Sequence, residues 1–354
     1  MYLVNGHNVF IVVFVTFLCS LVTTPIVRRI AVHIKALDYP NARRLNKVAM
    51  PTIGGLAIFF SFMLGYMLYA RSSIQMLSIL MGSFILVLMG IIDDISPIKA
   101  KYQLVAQIIA AGIITFYGNI TLDYISFLGL NLTFLAPWNY IITIIIIVAI
   151  VNAINLSDGL DGLCSGVSAI YFLTIAIIAF IMNTKEGLDT TLALIMLGSI
   201  LGFLVYNFPP AQIYLGDTGS NLLGFIIAVT ALLGYKTATF TSLIIPLVIL
   251  ATPIIDVLFS IIRRISKGQN PFNTPDKQHL HHQLLKMQFS TRSSLLIIYA
   301  IDILFAGISI FYALGNTYYA IFIYIGLMII FLFIVLKTDI LFKRSKDKKN
   351  EKNT

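Results

Sequence analysis

Apolar residues run along this chain in long blocks, and polar residues collect in short stretches between them. The hydrocarbon core of a bilayer takes about 20 apolar residues per helix. On that measure, spans are expected at about 9–27, 53–70, 74–92, 102–118, 138–154, 163–182, 190–206, 219–235, 242–262, 294–314 and 317–336. The expected fold is an all-α polytopic membrane protein of about 11 transmembrane helices. Residues 1–336 would form one integral membrane domain, followed by a charged tail at 337–354. Segment 119–137 interrupts the pattern with partly alternating stretches around Ile120–Tyr124 and Asn131–Phe134, which predicts a small outer β-hairpin. Pro246 and Pro253 in the ninth block remove backbone donors and predict a bend that would open a side groove.

Composition narrows the class. Of 354 residues, 58% are hydrophobic and only 11% charged, with a mean hydropathy of +0.93. Soluble domains carry about a quarter charged residues, so a cytosolic enzyme, a disordered chain and a dinucleotide-binding α/β domain are excluded. Cys19 and Cys164 lie in or beside apolar blocks, far apart in sequence, so they read as buried thiols rather than a disulfide framework.

The net charge of +9 acquires meaning from its placement. Of the 24 Lys and Arg residues, 21 fall in loops 28–51, 93–101 and 263–292 or in the tail. Only Arg71, Lys185 and Lys236 fall in the alternate loops. This bias predicts an outside N-terminus and a cytoplasmic C-terminus. Membrane lipid, not nucleic acid, is the partner it implies.

The polar chemistry gathers in four clusters, all on the face predicted to be cytoplasmic. An ionisable group at membrane depth is costly and marks function. Asp93-Asp94 ends the third span; adjacent carboxylates repel unless compensated, which suits a Mg²⁺ site, an acid/base role or a solvated helix end. Asn152, Asn155, Asp158 and Asp161 follow at spacings of three, within Asn155-Leu-Ser-Asp-Gly-Leu-Asp-Gly162, and such residues share one helix face. Asn207 leads into Gly216-Asp-Thr-Gly-Ser220, where Asp217 opens the eighth span either as a helix cap or as a metal ligand beside an anion-binding N-terminus. Loop 263–292 holds Arg263, Arg264, Lys277, His279, His281 and His282. Neither cysteine nor an HExxH pattern accompanies those histidines, so phosphate binding suits them better than zinc. Together the clusters describe phosphoryl chemistry between a water-soluble anion and a lipid.

Pro51-Thr-Ile-Gly-Gly55, Asp93-Asp94, Asn155-Leu-Ser-Asp-Gly-Leu-Asp-Gly162, Gly216-Asp-Thr-Gly-Ser220 and His279-Leu-His-His282, in that order, resemble the motifs of the polyprenyl-phosphate N-acetylhexosamine-1-phosphate transferases. The histidine loop is similar to the branch that transfers phospho-GlcNAc rather than phospho-MurNAc-pentapeptide, with Lys277 where that branch commonly has Arg. The resemblance implies a bacterial plasma-membrane enzyme, most like the initiator of teichoic acid synthesis. It implies transfer of GlcNAc-1-phosphate from UDP-GlcNAc to undecaprenyl phosphate, with Mg²⁺ (or Mn²⁺), releasing UMP. Carried over, Asp217 would ligate the metal, joined by Asp93 and Asp94, which would also handle the lipid phosphate. Asn155, Asp158 and Asp161 would hold nucleotide and diphosphate, and His279, His281 and His282 would contact diphosphate or sugar. Asn207 would support the metal site and Lys47 would reach the nucleotide; Asn152, Arg263, Arg264 and Lys277 complete the expected substrate-binding set. A homodimer is compatible with this reading. Two rivals remain: a transporter, whose polar groups should lie nearer the bilayer midplane, and a membrane prenyltransferase, which needs a second Asp-rich run.

Overall fold

The computed structural model describes residues 3–39, 49–127, 130–236, 244–266 and 280–337. The chain enters through a short pair, β1 (Leu3–Val4) and β2 (His7–Asn8), into α1 (Val9–His33), where the Asn8 side chain accepts the Phe10 N–H at 2.9 Å. Next come β3 (Leu37–Asp38) paired with β4 (Met50–Pro51), then α2 (Gly55–Tyr69) and α3 (Ile74–Ile95). Ser73 caps α3 by accepting the Met76 N–H. Helix α4 (Ala100–Gly112) continues into a π-helical turn at Ile113–Tyr117. The expected hairpin forms as β5 (Tyr124–Phe127) and β6 (Leu130–Thr133). Then follow α5 (Trp138–Ser157), α6 (Leu163–Ile181), α7 (Leu188–Asn207), α8 (Gly216–Lys236), α9 (Ile244–Ile249), α10 (Ala251–Ser266), α11 (Leu280–Lys286), α12 (Thr291–Ala313) and α13 (Thr317–Lys337).

The protein is mostly helical and multi-pass. Among the described residues, α1, α3, α5, α6, α7, α8 and α12 are long and apolar enough to cross a membrane. Helix α2 and the described part of α13, Tyr318–Ile330, are shorter apolar helices. The structure departs from the block reading in three places. Helix α1 runs through Pro25 to His33, so Arg28 and Arg29 stand on the helix rather than in a loop. The fourth block is a 13-residue α-helix completed by the π turn. The ninth block is broken at Leu250 into α9 and α10, with Pro253, which has no N–H to give, three residues past the break. The tail beyond Lys337, Lys47, Lys277 and His279 lie outside the described residues.

Helix α8 is the axis of the bundle. It packs against α2, α3, α5 and α7, and Leu222, Leu223, Phe225, Ile226 and Ile227 are fully buried. Association in a bilayer favours small residues that let backbones approach. A Cβ on Gly55 would stand 2.1 Å from the Gly219 Cα, so α2 and α8 touch backbone to backbone where both begin.

Contacts between elements show which helix ends share a face. Asn5 donates to the Tyr69 carbonyl at the end of α2 and to Thr191 at the start of α7. Arg71, between α2 and α3, approaches Glu186, between α6 and α7, at 4.0 Å. The opposite end gathers the starts of α2, α6 and α8 and the ends of α3, α5 and α7. Apolar packing forms two units: a large one built from α1 to α9, and a smaller one centred on α10, α11 and α12 that includes Leu160, Leu163 and Val167.

Candidate active site

The strand-like Pro51-Thr-Ile-Gly-Gly55 lies along the segment before α8. Tyr214 N–H donates to the Pro51 carbonyl at 2.8 Å, and Gly54 and Gly55 donate to the carbonyls of Tyr214 and Leu215 at 3.0 and 2.9 Å. This zipper sets the start of α8 beside the end of α3, and with it Asp217 beside Asp93 and Asp94.

Asp94 is spent on that junction. Its Oδ1 accepts the Asp217 N–H at 2.9 Å and the Thr52 hydroxyl at 3.1 Å. Its Oδ2 accepts the Thr218 N–H at 3.1 Å and the Thr218 hydroxyl at 2.6 Å. The first N–H groups of a helix have no partner within it, and here a carboxylate from another helix supplies one. Asp93 accepts the Ile98 N–H at 2.7 Å with Oδ1 and lies against the Asp217 carboxyl. Asp217 in turn accepts Asn155 Nδ2 at 2.9 Å on Oδ1 and Gln103 Nε2 at 3.4 Å on Oδ2. Asn155 also donates to the Ser220 hydroxyl at 2.9 Å. Thus the first three expected clusters meet at one place.

Asp158 and Asp161 lie just past α5, in the turn before α6. Burial and the nearby charges of Asp94 and Asp161 push the Asp158 carboxyl up to about 7. Burial also raises Asp161, whose Oδ2 accepts the Ala211 N–H at 3.0 Å. Asn207 takes a supporting place: its Oδ1 accepts the Ser165 hydroxyl at 2.7 Å, and its Nδ2 donates to the Ile213 carbonyl at 3.0 Å. It shapes the 208–215 segment that delivers Asp217, rather than meeting the acids. Asn152 is one turn deeper than Asn155 and donates to Gln107 Oε1 at 2.6 Å.

The histidine side arrives from the other packing unit. Asp256 on α10 accepts the Leu280 N–H at 2.9 Å, which fastens α11. His281 is 2% exposed, and its ring lies over Gly159: a Cβ there would stand 2.5 Å from His281 Nε2. His281 and His282 rings are 4.2 Å apart between centroids. Arg263 and Arg264 are buried on α10 at 1% and 9% exposure. Arg292 Nε donates to the Pro209 carbonyl at 2.7 Å and ties α12 to the same floor.

Gln103, Gln107, Thr52, Thr218, Ser220 and Asn221 belong to this network, and the sequence reading named none of them as site residues. Gln103 and Gln107 carried a visible signal, two amides four residues apart in an apolar span. Thr52 and Thr218 sit inside motifs that had been noticed, but their partner, Asp94, is set by tertiary packing.

As chemistry, the arrangement offers hard oxygen donors. Asp93, Asp217 and the Asn155 amide converge, and two carboxyl groups in contact need a proton or a cation between them. Among the described residues, no three His, Cys, Asp or Glu side chains form a closed metal cage. Two adjoining carboxylates are a donor set that a hard cation could use, its shell completed by water and substrate phosphate.

Residues 76–235 match the profile of glycosyl transferase family 4. The chain is 41% identical over 326 residues to the probable undecaprenyl-phosphate N-acetylglucosaminyl 1-phosphate transferase of Bacillus subtilis (strain 168), covering 91% of this chain and 89% of that protein. It is 32% identical over 318 residues to the undecaprenyl-phosphate alpha-N-acetylglucosaminyl 1-phosphate transferase of Haemophilus influenzae, covering 87% of each. It is 30% identical over 325 residues to the decaprenyl-phosphate N-acetylglucosaminephosphotransferase of Mycobacterium leprae, covering 84% of this chain and 80% of that protein.

Proposed function

Because the chain belongs to glycosyl transferase family 4, we propose that it transfers GlcNAc-1-phosphate from UDP-GlcNAc to undecaprenyl phosphate, giving undecaprenyl-diphospho-GlcNAc and UMP. The observation that carries this reading is the meeting of Asp93, Asp217, Asn155, Asp158 and His281 at the ends of membrane helices, where a soluble nucleotide and a lipid phosphate can reach one another. An oxygen of the lipid phosphate bonds to the phosphorus that bears the sugar. The bridging P–O bond breaks, and UMP leaves with that oxygen.

Asp217 and Asp93 would hold Mg²⁺, with Mn²⁺ as its substitute, while Asn155 steadies the Asp217 carboxylate. Bound there, the cation neutralises the diphosphate and makes UMP a better leaving group. The lipid phosphate is a nucleophile without help at neutral pH, since its second pKa is about 6. Asp93 would orient that phosphate. Asp94, with both oxygens engaged, holds the start of α8 in place. Asp158 and Asp161 would face the nucleotide, while His281 and His282 donate to the diphosphate, backed by the buried Arg263–Arg264 pair. Lys47, Lys277 and His279 would add cationic contacts.

The proposed setting is a bacterial plasma membrane, with eleven spans, an outside N-terminus and the site open to the cytosol. Two observations support it. The Asn5–Thr191 and Arg71–Glu186 contacts place the start of α1 and the 70–73 and 183–187 segments at one end, as the alternation requires. The acids gather at the other end, where Asp93 accepts the Ile98 N–H of the 93–101 loop that carries Lys99 and Lys101. The proposed role is the start of teichoic acid or a related cell-wall polymer, as the resemblance of the histidine loop to the GlcNAc branch implies.

The test gives purified protein undecaprenyl phosphate with radiolabelled UDP-GlcNAc or UDP-MurNAc-pentapeptide, across a Mg²⁺ titration. Labelled lipid and UMP should appear with UDP-GlcNAc. Preference for the pentapeptide donor, or release of free diphosphate, overturns the proposal. A C-terminal tag should be cut by protease only from the cytosolic side.

A further inference from the structure

Four amides form a line inside the membrane domain. Asn152 Nδ2 on α5 donates to Gln107 Oε1 on α4 at 2.6 Å and to the Val148 carbonyl at 2.8 Å. Gln107 Nε2 donates to Asn221 Oδ1 on α8 at 3.1 Å. Asn221 Nδ2 donates to the main-chain carbonyl of Asp217 at 2.8 Å. Gln103, one turn from Gln107 on α4, donates Nε2 to Asp217 Oδ2 at 3.4 Å. Gln107 and Asn221 are 2% and 1% exposed.

Burying neutral amides at this depth is costly unless each group is paired. Here Gln103 and Gln107 both donate to α8, and the bonds end on Asp217 by two routes, one through Asn221 to its backbone and one from Gln103 to its carboxylate. Helix-to-helix adhesion alone would be served by small residues or by any amide pair along α4, α5 and α8. It would not require the bonds to converge on one acid. An amide also adds no charge, so it can fix a carboxylate among other carboxylates without competing as a ligand or as a counter-ion.

We propose that Gln103 and Gln107, through Asn221, are positioning residues that set the carboxylate of Asp217 for a divalent cation. This rests on the metal reading above. Partners behind a ligand typically carry 10–100-fold in metal affinity or activity. Gln107→Leu removes both ladder bonds at constant chain reach, and Gln103→Leu removes the direct one from a half-exposed position where folding is safe.

The experiment titrates detergent-purified protein with Mn²⁺ alone, without nucleotide, followed by electron paramagnetic resonance, and records metal-free thermal midpoints in parallel. Each variant should bind Mn²⁺ about 10-fold more weakly than the unsubstituted protein. In turnover, the metal concentration for half-maximal rate should rise in step, and kcat should recover when metal is saturating. Unchanged Mn²⁺ affinity in a folded variant, with only the thermal midpoint lowered, makes the ladder adhesive and overturns the inference while leaving the metal site standing. If the unsubstituted protein binds no Mn²⁺ and turns over without a divalent ion, the metal reading falls and this inference with it. If Gln107→Leu does not fold, Gln103→Leu decides alone.

Discussion

The two sides of the site are built differently. On the acid side, α2, α3, α4, α5 and α8 hold each group by several bonds: Asp94 accepts four, and Asp217 accepts two on its carboxylate while its backbone is held as well. On the histidine side, α11 is a seven-residue helix fastened by the Asp256 bond to its first N–H, with His281 resting on Gly159. The acids belong to the large packing unit and the histidines to the small one. A rigid acid side suits preorganised stabilisation of charge in the transition state. A histidine side carried on a short helix from the smaller packing unit suits contact with a substrate that arrives from water. Substitutions on the acid side should therefore change the chemical step, and those on the histidine side should change binding.

Asp217 gives the sharpest break. Asn caps a helix about as well as Asp, so Asp217→Asn should fold and insert normally. It supplies one neutral oxygen in place of a carboxylate that hard Mg²⁺ prefers. Turnover should fall at least about 10²-fold, or roughly 2.7 kcal/mol of transition-state stabilisation, with little recovery at high Mg²⁺. A stable variant with near-normal turnover would make Asp217 a structural partner of Asn155 and Gln103 and move the metal to Asp93.

The adjacent acids should then separate by what they damage. Asp94→Asn turns an NH₂ donor toward the donors of Asp217, Thr218 and Thr52, and buried groups left unpaired cost about 1–3 kcal/mol each. Its thermal midpoint should drop together with turnover. Asp93→Asn keeps an acceptor for Ile98 and should lower turnover with the midpoint almost unmoved. Equal thermal effects from the two would erase the division of labour between them.

On the histidine side, His281→Ala should raise KM for UDP-GlcNAc about 10-fold, the worth of one hydrogen bond to a charged group, and spare kcat more. Gly159→Ala tests the same contact from the opposite unit, because its Cβ would occupy the place of the His281 ring. It should reproduce the KM effect with the histidine intact. If either change lowers kcat alone, the histidines act in the chemical step and the contrast between the sides fails.

Much of this was legible in the sequence because membrane physics writes it plainly. Long apolar blocks gave the helices, and the costly carboxylates marked the site before any fold was known. Asp93, Asn155, Asp158 and Asp217 do meet. What was not legible has a common cause. The use of Asp94 as the cap of another helix depends on the zipper of residues 51–55 with 213–215, which leaves no periodic signature. The break between α9 and α10 could be expected from two prolines, but its position at Leu250 could not. The extension of α1 from the expected end at 27 to His33 adds polar residues, Arg28, Arg29 and His33, that the apolar pattern does not count as span. Gln103 and Gln107 were visible as amides in an apolar span, yet only the partner on α8 gives them a meaning.

The last break concerns stability rather than turnover, at Asp158, which stands where the two sides touch. Its carboxyl titrates near 7 instead of the ordinary 3.8, because burial and the charges of Asp94 and Asp161 disfavour its ionised form. Between those two values the folded protein keeps a proton that the unfolded chain has already released, so stability falls as pH rises from about 4 to about 7 and levels off above. Asp158→Asn removes the titration and leaves a neutral group of the same shape. The variant should match the unsubstituted protein in metal-free thermal midpoint near pH 4, exceed it by a margin that grows up to about pH 7, and hold that margin above. Added Mg²⁺ should narrow that margin, since a cation at Asp217 and Asp93 offsets the negative field that Asp158 feels. A margin that stays flat across this range would mean that a cationic group already compensates Asp158, and the acid side would then be less strained by its own charge than its crowding implies.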